Sequence, residues 1–226
     1  MRKDNIIKTI LMPISSGYTM RNFVKSGVVG MLAESPDVRV VLLAPADKIA
    51  YYRKEFQHPR VVFDEMPYLK EHPQEVFFMR LEGASIHTHS VTLLHRFDLL
   101  RGGSWMNILM RRLPKYILLR SAWQLGRFRW WRTLVRKAFY AIPSDFFSKA
   151  LETYRPDIVF CPSTMYGETI LLREAKKRNI RTIGLIQSWD NLFSKSLVRV
   201  HPDFLIVHTT NIKSQAVCLA DYPAQR

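Results

Sequence analysis

Cysteine is scarce in this chain. Cys161 and Cys218 are the two present in 226 residues, which excludes a disulfide framework, and their spacing is not that of metal ligands. Each reads as a small apolar core residue, which suits a reducing compartment. No apolar run approaches the roughly 20 residues that a bilayer span needs. Ile6 to Ile14 comes nearest, and Lys8 and Pro13 interrupt it. That stretch also lacks a small-residue cleavage site, so it does not read as a signal peptide. These absences predict a cytoplasmic protein, with peripheral contact at the inner face of the cell membrane left open. No Gly-x-Gly-x-x-Gly and no Walker pattern occurs, which leaves the common glycine-rich phosphate loops without a candidate, and no cofactor is expected. Low-complexity linkers and repeats of solenoid period are missing too. Finally, there is no Asp or Glu from Leu99 to Ser144.

What is present is an apolar fraction of 47%, enough for a core, and a formal charge of +15. The charge favours an anionic partner: phospholipid, nucleic acid or a phosphate-bearing substrate.

The first third of the chain has the rhythm of a parallel α/β sheet. Asn5 to Ile14 reads as a strand, Ser15-Ser16-Gly17 as a turn, and Met20 to Ala33 as an amphipathic helix. The turn is either a phosphate-type binding loop or a tight turn with a helix cap. Asp37 to Ala44 is a second strand; Asp47 is placed to cap a helix over Ile49 to Phe56. Arg60 to Phe63 is a third strand. The sum is βαβαβ, half of a Rossmann pattern.

From about residue 68 to 142 that rhythm stops, and a basic, aromatic helical insertion is predicted. His87, His89, His95 and Asp98 form a polar patch whose spacing matches no standard metal site, so no metal is expected. The acid-free stretch holds ten Arg or Lys residues with aromatics between them. On helical spacing Arg129, Arg132 and Arg136 share one face, beside Phe128, Trp131, Val135 and Phe139. Arg129, Trp130, Trp131, Arg132 and Arg136 are therefore candidates for contact with an anionic membrane surface. The alternative is that the aromatics pack on the sheet and the arginines are merely solvated.

Sheet rhythm then resumes. A helix is expected over Phe146 to Tyr154, a strand over Ile158 to Cys161 ending at Ser163 and Thr164, and a helix over Gly167 to Lys177. A further strand starting at Ile180 and a sixth over Phe204 to His208 follow, with a last helix capped near Thr209. The fold class is α/β: a Rossmann-like parallel sheet with helices on both faces. In such sheets ligands bind beyond the carboxyl ends of the strands. The strand starting at Ile180 leads into Gln187, Ser188, Trp189, Asp190, Asn191, Ser194 and Lys195, a density of functional groups that a plain connection does not need.

Trp189-Asp190-Asn191-Leu192, followed by Ser194-Lys195, resembles the Trp-Asp-Asn-Leu-Thr-Ser-Lys-Gly signature of bacterial surface-polysaccharide glycosyltransferases of the GT-B fold. Those enzymes are related in architecture to UDP-N-acetylglucosamine 2-epimerases and CDP-glycerol glycerophosphotransferases. Phe193 stands where the signature has Thr, and Ser196 where it has Gly. The resemblance implies that residues 1–226 are the N-terminal, acceptor-side domain, with the C-terminal donor-binding domain missing and the chain inactive alone. In GT-B enzymes the first loop often faces the acceptor, which nudges Ser15, Ser16 and Gly17 towards a binding role.

The expected chemistry needs a base for the acceptor hydroxyl and positive groups for the leaving diphosphate. Asp190 is the first candidate base and His208 the second. Substrate contact is expected from Ser15, Ser16, Gly17, Ser163, Thr164, Gln187, Ser188, Trp189, Asn191, Ser194 and Lys195, with Trp189 offering a face for a sugar ring. Asp190 and Asn191 equally suit fixing the loop through backbone bonds. The expected partners are a nucleotide-sugar donor held by the missing domain, a saccharide or lipid-linked acceptor, and an anionic membrane surface rather than nucleic acid. Glycerophosphotransfer, UDP-sugar epimerisation, and a non-enzymatic basic adaptor for membrane or nucleic acid remain the alternatives.

Overall fold

The computed structural model describes residues 7–67, 73–101 and 104–224. Asn5 and Ile6 of the expected first strand, the start of the insertion at Tyr68, and the final Arg226 lie outside the described residues. The first part of the chain runs β1 (Lys8–Pro13), α1 (Gly17–Thr19), a π-helical turn (Met20–Lys25), α2 (Val28–Glu34), β2 (Val38–Ala44), α3 (Ala46–Glu55) and β3 (Val61–Glu65). Helices follow: α4 (Pro73–Ala84), α5 (His89–Leu100), α6 (Trp105–Asn107), a π-helical turn (Ile108–Arg112), α7 (Leu113–Gly126) and α8 (Arg129–Ala141). Then come α9 (Ser148–Tyr154), β4 (Ile158–Cys161), α10 (Tyr166–Lys177), β5 (Arg181–Leu185), a π-helical turn (Asn191–Lys195), β6 (Phe204–Ile206) and α11 (Thr210–Cys218).

By its internal contacts the chain divides into two units. A sheet unit comprises Met1–Lys70, Ser144–Leu185 and Pro202–Ile206, and a helical unit comprises Glu71–Pro143, Ile186–His201 and Val207–Arg226. The expected insertion is thus joined by the Trp-Asp-Asn stretch and by α11.

In the sheet unit six strands pair in the order β3-β2-β1-β4-β5-β6, all parallel, flanked by helices. This is the Rossmann-like order, in which the chain builds outward one way from β1 and then the other way from β4. Val40 and Leu42 are buried, and so are the alternate Val41 and Leu43. Both faces of the central strands are therefore covered, which is why they read as unbroken apolar runs. One core gathers Met12, Ile14, Val40, Leu42, Phe63 and Phe160 under Val24, Val29 and Tyr52. β5 passes closely by its neighbours: a Cβ on Gly184 would lie 2.9 Å from Thr164 Cγ2 and 3.0 Å from Pro202 Cγ. Asp203 locks the start of β6, accepting from the Thr182 amide and hydroxyl and pairing with Lys176 at 2.7 Å.

Several boundaries differ from the sequence reading. The helix expected over Met20 to Ala33 is broken, because Gly27 sits at φ +92°, a left-handed conformation that a glycine adopts freely. Asp47 does not cap α3; Pro45 holds the cap position and Asp47 lies in the first turn, where the helix dipole favours an acid. α9 starts at Ser148 rather than Phe146. β6 stops at Ile206, two residues before His208. The Thr209 cap forms as expected, its side chain accepting from Ile212 N.

The helical unit is held differently. α4, α5, α7 and α8 pack in pairs. α7 meets the end of α4 so closely that a Cβ on Gly126 would fall 1.8 Å from the Ser85 carbonyl oxygen. No helix among the described residues is long and apolar enough to cross a membrane.

Candidate functional site

The order of strands puts the loops after β1 and β4 at the point where the sheet changes direction of growth. In open α/β sheets this is the place where ligands bind, beyond the carboxyl ends of the strands. Ser15, Ser16 and Gly17 follow β1, and Ser163 and Thr164 follow β4. Glu168, in the first turn of α10, joins them. Ser15 Oγ donates to Glu168 Oε1 at 2.6 Å, and the Ser163 amide donates to Oε2 at 2.6 Å. Two loops 148 residues apart in sequence are thus tied by one carboxyl group (163 minus 15).

Glu168 is 5% exposed, whereas Ser15 is exposed. Its hydroxyl carries the contact from the buried carboxyl to the surface. Burial pushes the Glu168 carboxyl up to about 7, against the Ser15 hydroxyl and the Ser163 amide, which favour the ionised form. Among the described residues neither bonded group carries a charge, so the hydrogen bonds alone do not cancel the penalty of burying an anion. The buried Cys161 thiol, which donates to the Glu168 carbonyl, is itself raised well above its ordinary value by burial and then by that carboxylate. Thr164 is buried beside this centre, and its Oγ1 has no hydrogen-bond partner among the described residues. Ser16 accepts from Thr19 N and caps α1, while a Cβ on Gly17 would meet nothing within 4 Å. Glu168 escaped the sequence reading. Its one signal was an acid in the first turn of a helix that starts directly after a strand's polar end.

The Trp-Asp-Asn stretch belongs to the helical unit. Trp189 is 71% exposed, Gln187 and Ser188 are half-buried, and Asn191 is buried. The π-helical turn sets the geometry: its wider pitch brings position i+5 over position i. Lys195 Nζ accordingly reaches Asp190 Oδ2 at 2.6 Å, and the Ser196 amide donates to the Asn191 carbonyl at 2.8 Å. Ser194 Oγ donates to the Asp190 carbonyl at 3.0 Å. The Lys195 ammonium holds the Asp190 carboxyl below the usual carboxylate range. Asp190 is therefore an ionised, weakly basic group, and Lys195 is its partner before it is anyone else's.

The two departures from the signature now have a physical setting. Ser196 is extended, with φ −147° and ψ 140°, so no glycine is required there. Its hydroxyl donates to Glu82 Oε1 at 2.7 Å, and the Leu197 amide donates to the same oxygen at 2.6 Å. At Phe193 the backbone makes the contact: its carbonyl accepts from the Thr88 hydroxyl at 2.8 Å. Glu82 in turn pairs with Arg199 at 2.5 Å, both buried.

The remaining candidates are dispersed. His208 lies beyond β6 and is exposed. Among the described residues no group of three or more His, Cys, Asp or Glu is arranged to hold a metal ion. The ring of His87 lies against that of Trp123, with its Nδ1 2.9 Å from the Trp123 carbonyl, and His95 is buried elsewhere. The membrane-facing set on α8 needs correction. Arg132 meets both oxygens of Asp221, at 2.8 and 2.6 Å, and Arg136 meets it at 2.9 Å. These guanidiniums are committed inside the helical unit and present little charge to a surface. Trp131 is half-buried, its Nε1 donating to Ser85 Oγ, while Arg129 and Trp130 stay exposed.

No protein family, curated protein or solved structure matches the chain.

Proposed function

We propose that this chain is the acceptor-binding part of a glycosyltransferase, one that moves a sugar from a nucleotide-sugar donor to a surface-polysaccharide or lipid-linked acceptor. The observation that carries the reading is the Glu168 centre at the carboxyl ends of β1 and β4, where one buried carboxyl joins Ser15 and Ser163. Transfer with inversion requires the acceptor hydroxyl to lose its proton as its oxygen attacks the anomeric carbon. The bond to the diphosphate breaks in the same step, and the nucleotide diphosphate leaves with the electron pair. A base whose pKa lies near the working pH serves that step best. Glu168, at about 7, meets the requirement, and Asp190, held low by Lys195, does not. Ser15 stands between Glu168 and the surface, so the proton passes from the acceptor to the Ser15 oxygen while the Ser15 proton moves to the carboxylate. The Trp-Asp-Asn-Leu-x-Ser-Lys resemblance supports the same class of reaction. A purely basic adaptor has no use for a neutral-range carboxyl behind an exposed serine.

The test is transfer from a panel of nucleotide sugars to saccharide and lipid-linked acceptors, measured on the protein as its gene encodes it. Glu168→Gln is expected to lower turnover by roughly 10² to 10⁴ and to erase a rate limb near pH 7, with the circular dichroism unchanged. Asp190→Asn is expected to have the smaller effect. Full turnover in folded Glu168→Gln overturns the assignment.

A further inference from the structure

α5 and the start of the acid-free stretch form helices that expose many apolar side chains. α5 exposes Leu93, Leu94, Phe97 and Leu100, a spacing that shares one side of a helix. Directly after it Trp105, Met106, Leu109 and Met110 are exposed, with Trp105 at 70%. Ile117 and Leu118 are exposed on α7. α5, α7 and the π-helical turn between them pack on one another, so these side chains lie on neighbouring elements of the helical unit. Apolar residues exposed singly need no explanation, but a group of this size does.

On the same three elements lies a cleft of about 230 Å³. Arg101, Arg112 and Lys115 line it, with Asp98 as the one acid and His95 on its wall. Arg112 is fixed there by donating to the Asp98 and Arg101 carbonyls. Lys115 lies 3.7 Å from Asp98, which leaves an excess of positive charge. His95 is buried, and its Nδ1 has no hydrogen-bond partner among the described residues. A buried polar nitrogen in that state is costly. Burial first, and then Arg120, lower the His95 pKa.

We infer that this surface of the helical unit docks on an anionic phospholipid bilayer, its apolar side chains entering the interface and its Arg101–Arg112–Lys115 cleft taking a lipid phosphate. Charge complementarity selects an anionic partner, since no carboxylate occurs from Leu99 to Ser144. The apolar chemistry selects lipid over nucleic acid. All of the exposed apolar side chains named above except Phe97 and Trp105 are aliphatic and offer bases no stacking surface, whereas a bilayer interface buries them. The contact differs from the one expected on α8, where Arg132 and Arg136 are paired with Asp221.

The inference is independent of the sugar-transfer reading, because its test measures no turnover. The full chain is sedimented with vesicles of phosphatidylcholine alone, and with phosphatidylglycerol added, at low and high salt. Pelleting is expected to be clearly stronger with the anionic vesicles. Arg101→Gln and Lys115→Gln are expected to weaken it by about fivefold each. High salt should remove part of the binding, as the Debye length falls from about 10 Å at 0.1 M to about 3 Å at 1 M. Leu100→Ser with Trp105→Ser, at two exposed positions, should remove the part that survives salt. An unchanged denaturation midpoint checks that each variant is folded. Equal pelleting with neutral vesicles overturns the inference, as does full binding by the Arg101→Gln/Lys115→Gln variant. Displacement from anionic vesicles by duplex RNA at equal phosphate concentration overturns it in favour of a nucleic-acid surface.

Discussion

At Glu168 in the sheet unit a buried carboxyl meets a hydroxyl and an amide; at Glu82 in the helical unit one meets a guanidinium at 2.5 Å. Both carboxyls are raised by burial. The difference lies in what each can do next. Glu82 and Arg199 are both sealed from solvent, and the Ser196 hydroxyl and Leu197 amide fill the acid's remaining positions. That group fastens α4 to the segment after the Trp-Asp-Asn turn. Glu168 has only neutral donors, one of them on an exposed residue, so its proton can exchange with whatever reaches Ser15. Pairing with a buried cation makes an acid structural, and pairing with neutral donors leaves it available for chemistry.

The comparison breaks most visibly at Glu82. Glu82→Ala strands the Arg199 guanidinium, and removing one partner of a buried pair costs about 3–5 kcal/mol. Glu82→Met combined with Arg199→Leu should recover most of that loss, because an apolar pair of similar volume needs no compensation. Urea unfolding of the single and double variants checks both expectations. A double variant as unstable as the single would mean that the segment depends on the charges themselves.

At Glu168 the sign is reversed. Its folded pKa of about 7 exceeds the ordinary carboxyl value of 4.5, so the folded state binds a proton that the unfolded state releases between those values. Stability is undiminished by this group below pH 4.5, falls as pH rises to about 7, and is fully reduced above it. The shift corresponds to about 3 kcal/mol. Glu168→Gln should therefore stabilise the protein at pH 8, by up to that amount, and change little at pH 4. Glu82 titrates in the same sense, so the difference between wild type and Glu168→Gln, not the slope of either, isolates the share of Glu168. Equal stability of the two proteins at pH 8 would show that the carboxyl is not strained by burial.

The sheet was legible because its signals are local. Strands covered on both faces are continuous apolar runs, such as Val40 to Leu43, and each ends at turn residues that can be seen in place. The convergence of Ser15 with Ser163 was legible at one remove, from the rule that parallel strands place their ends together. Glu168 was not, since its partner Ser15 lies 153 residues away and its own position looks like an ordinary helix start. The pairing of Arg132 and Arg136 was hidden for the same reason, as Asp221 is 89 and 85 residues downstream. The outer side of α5 was hidden by a different limit. Apolar periodicity marks a stripe on a helix, but not whether protein covers it.

The smallest effect expected sharpens the reading of the signature itself. Ser196 stands where the resembled glycosyltransferases have glycine, and its hydroxyl is one of the two donors to Glu82 Oε1. It also accepts from the Val198 amide at 3.0 Å, and Val198 is held at φ +53°, a conformation that a β-branched residue seldom adopts. Ser196→Gly removes a hydrogen bond to a buried carboxylate and a side-chain contact that fixes the Val198 amide. It adds backbone freedom at an extended position that does not need it. The loss is expected to be about 2 kcal/mol, the upper part coming from the charged acceptor. Ser196→Ala retains the backbone restriction and loses the hydroxyl alone, so it should fall between wild type and glycine. Thermal unfolding of the three proteins orders them. If glycine is as stable as serine, then Glu82 is satisfied without Ser196, and the Glu82–Arg199 pair alone does not depend on this departure from the signature.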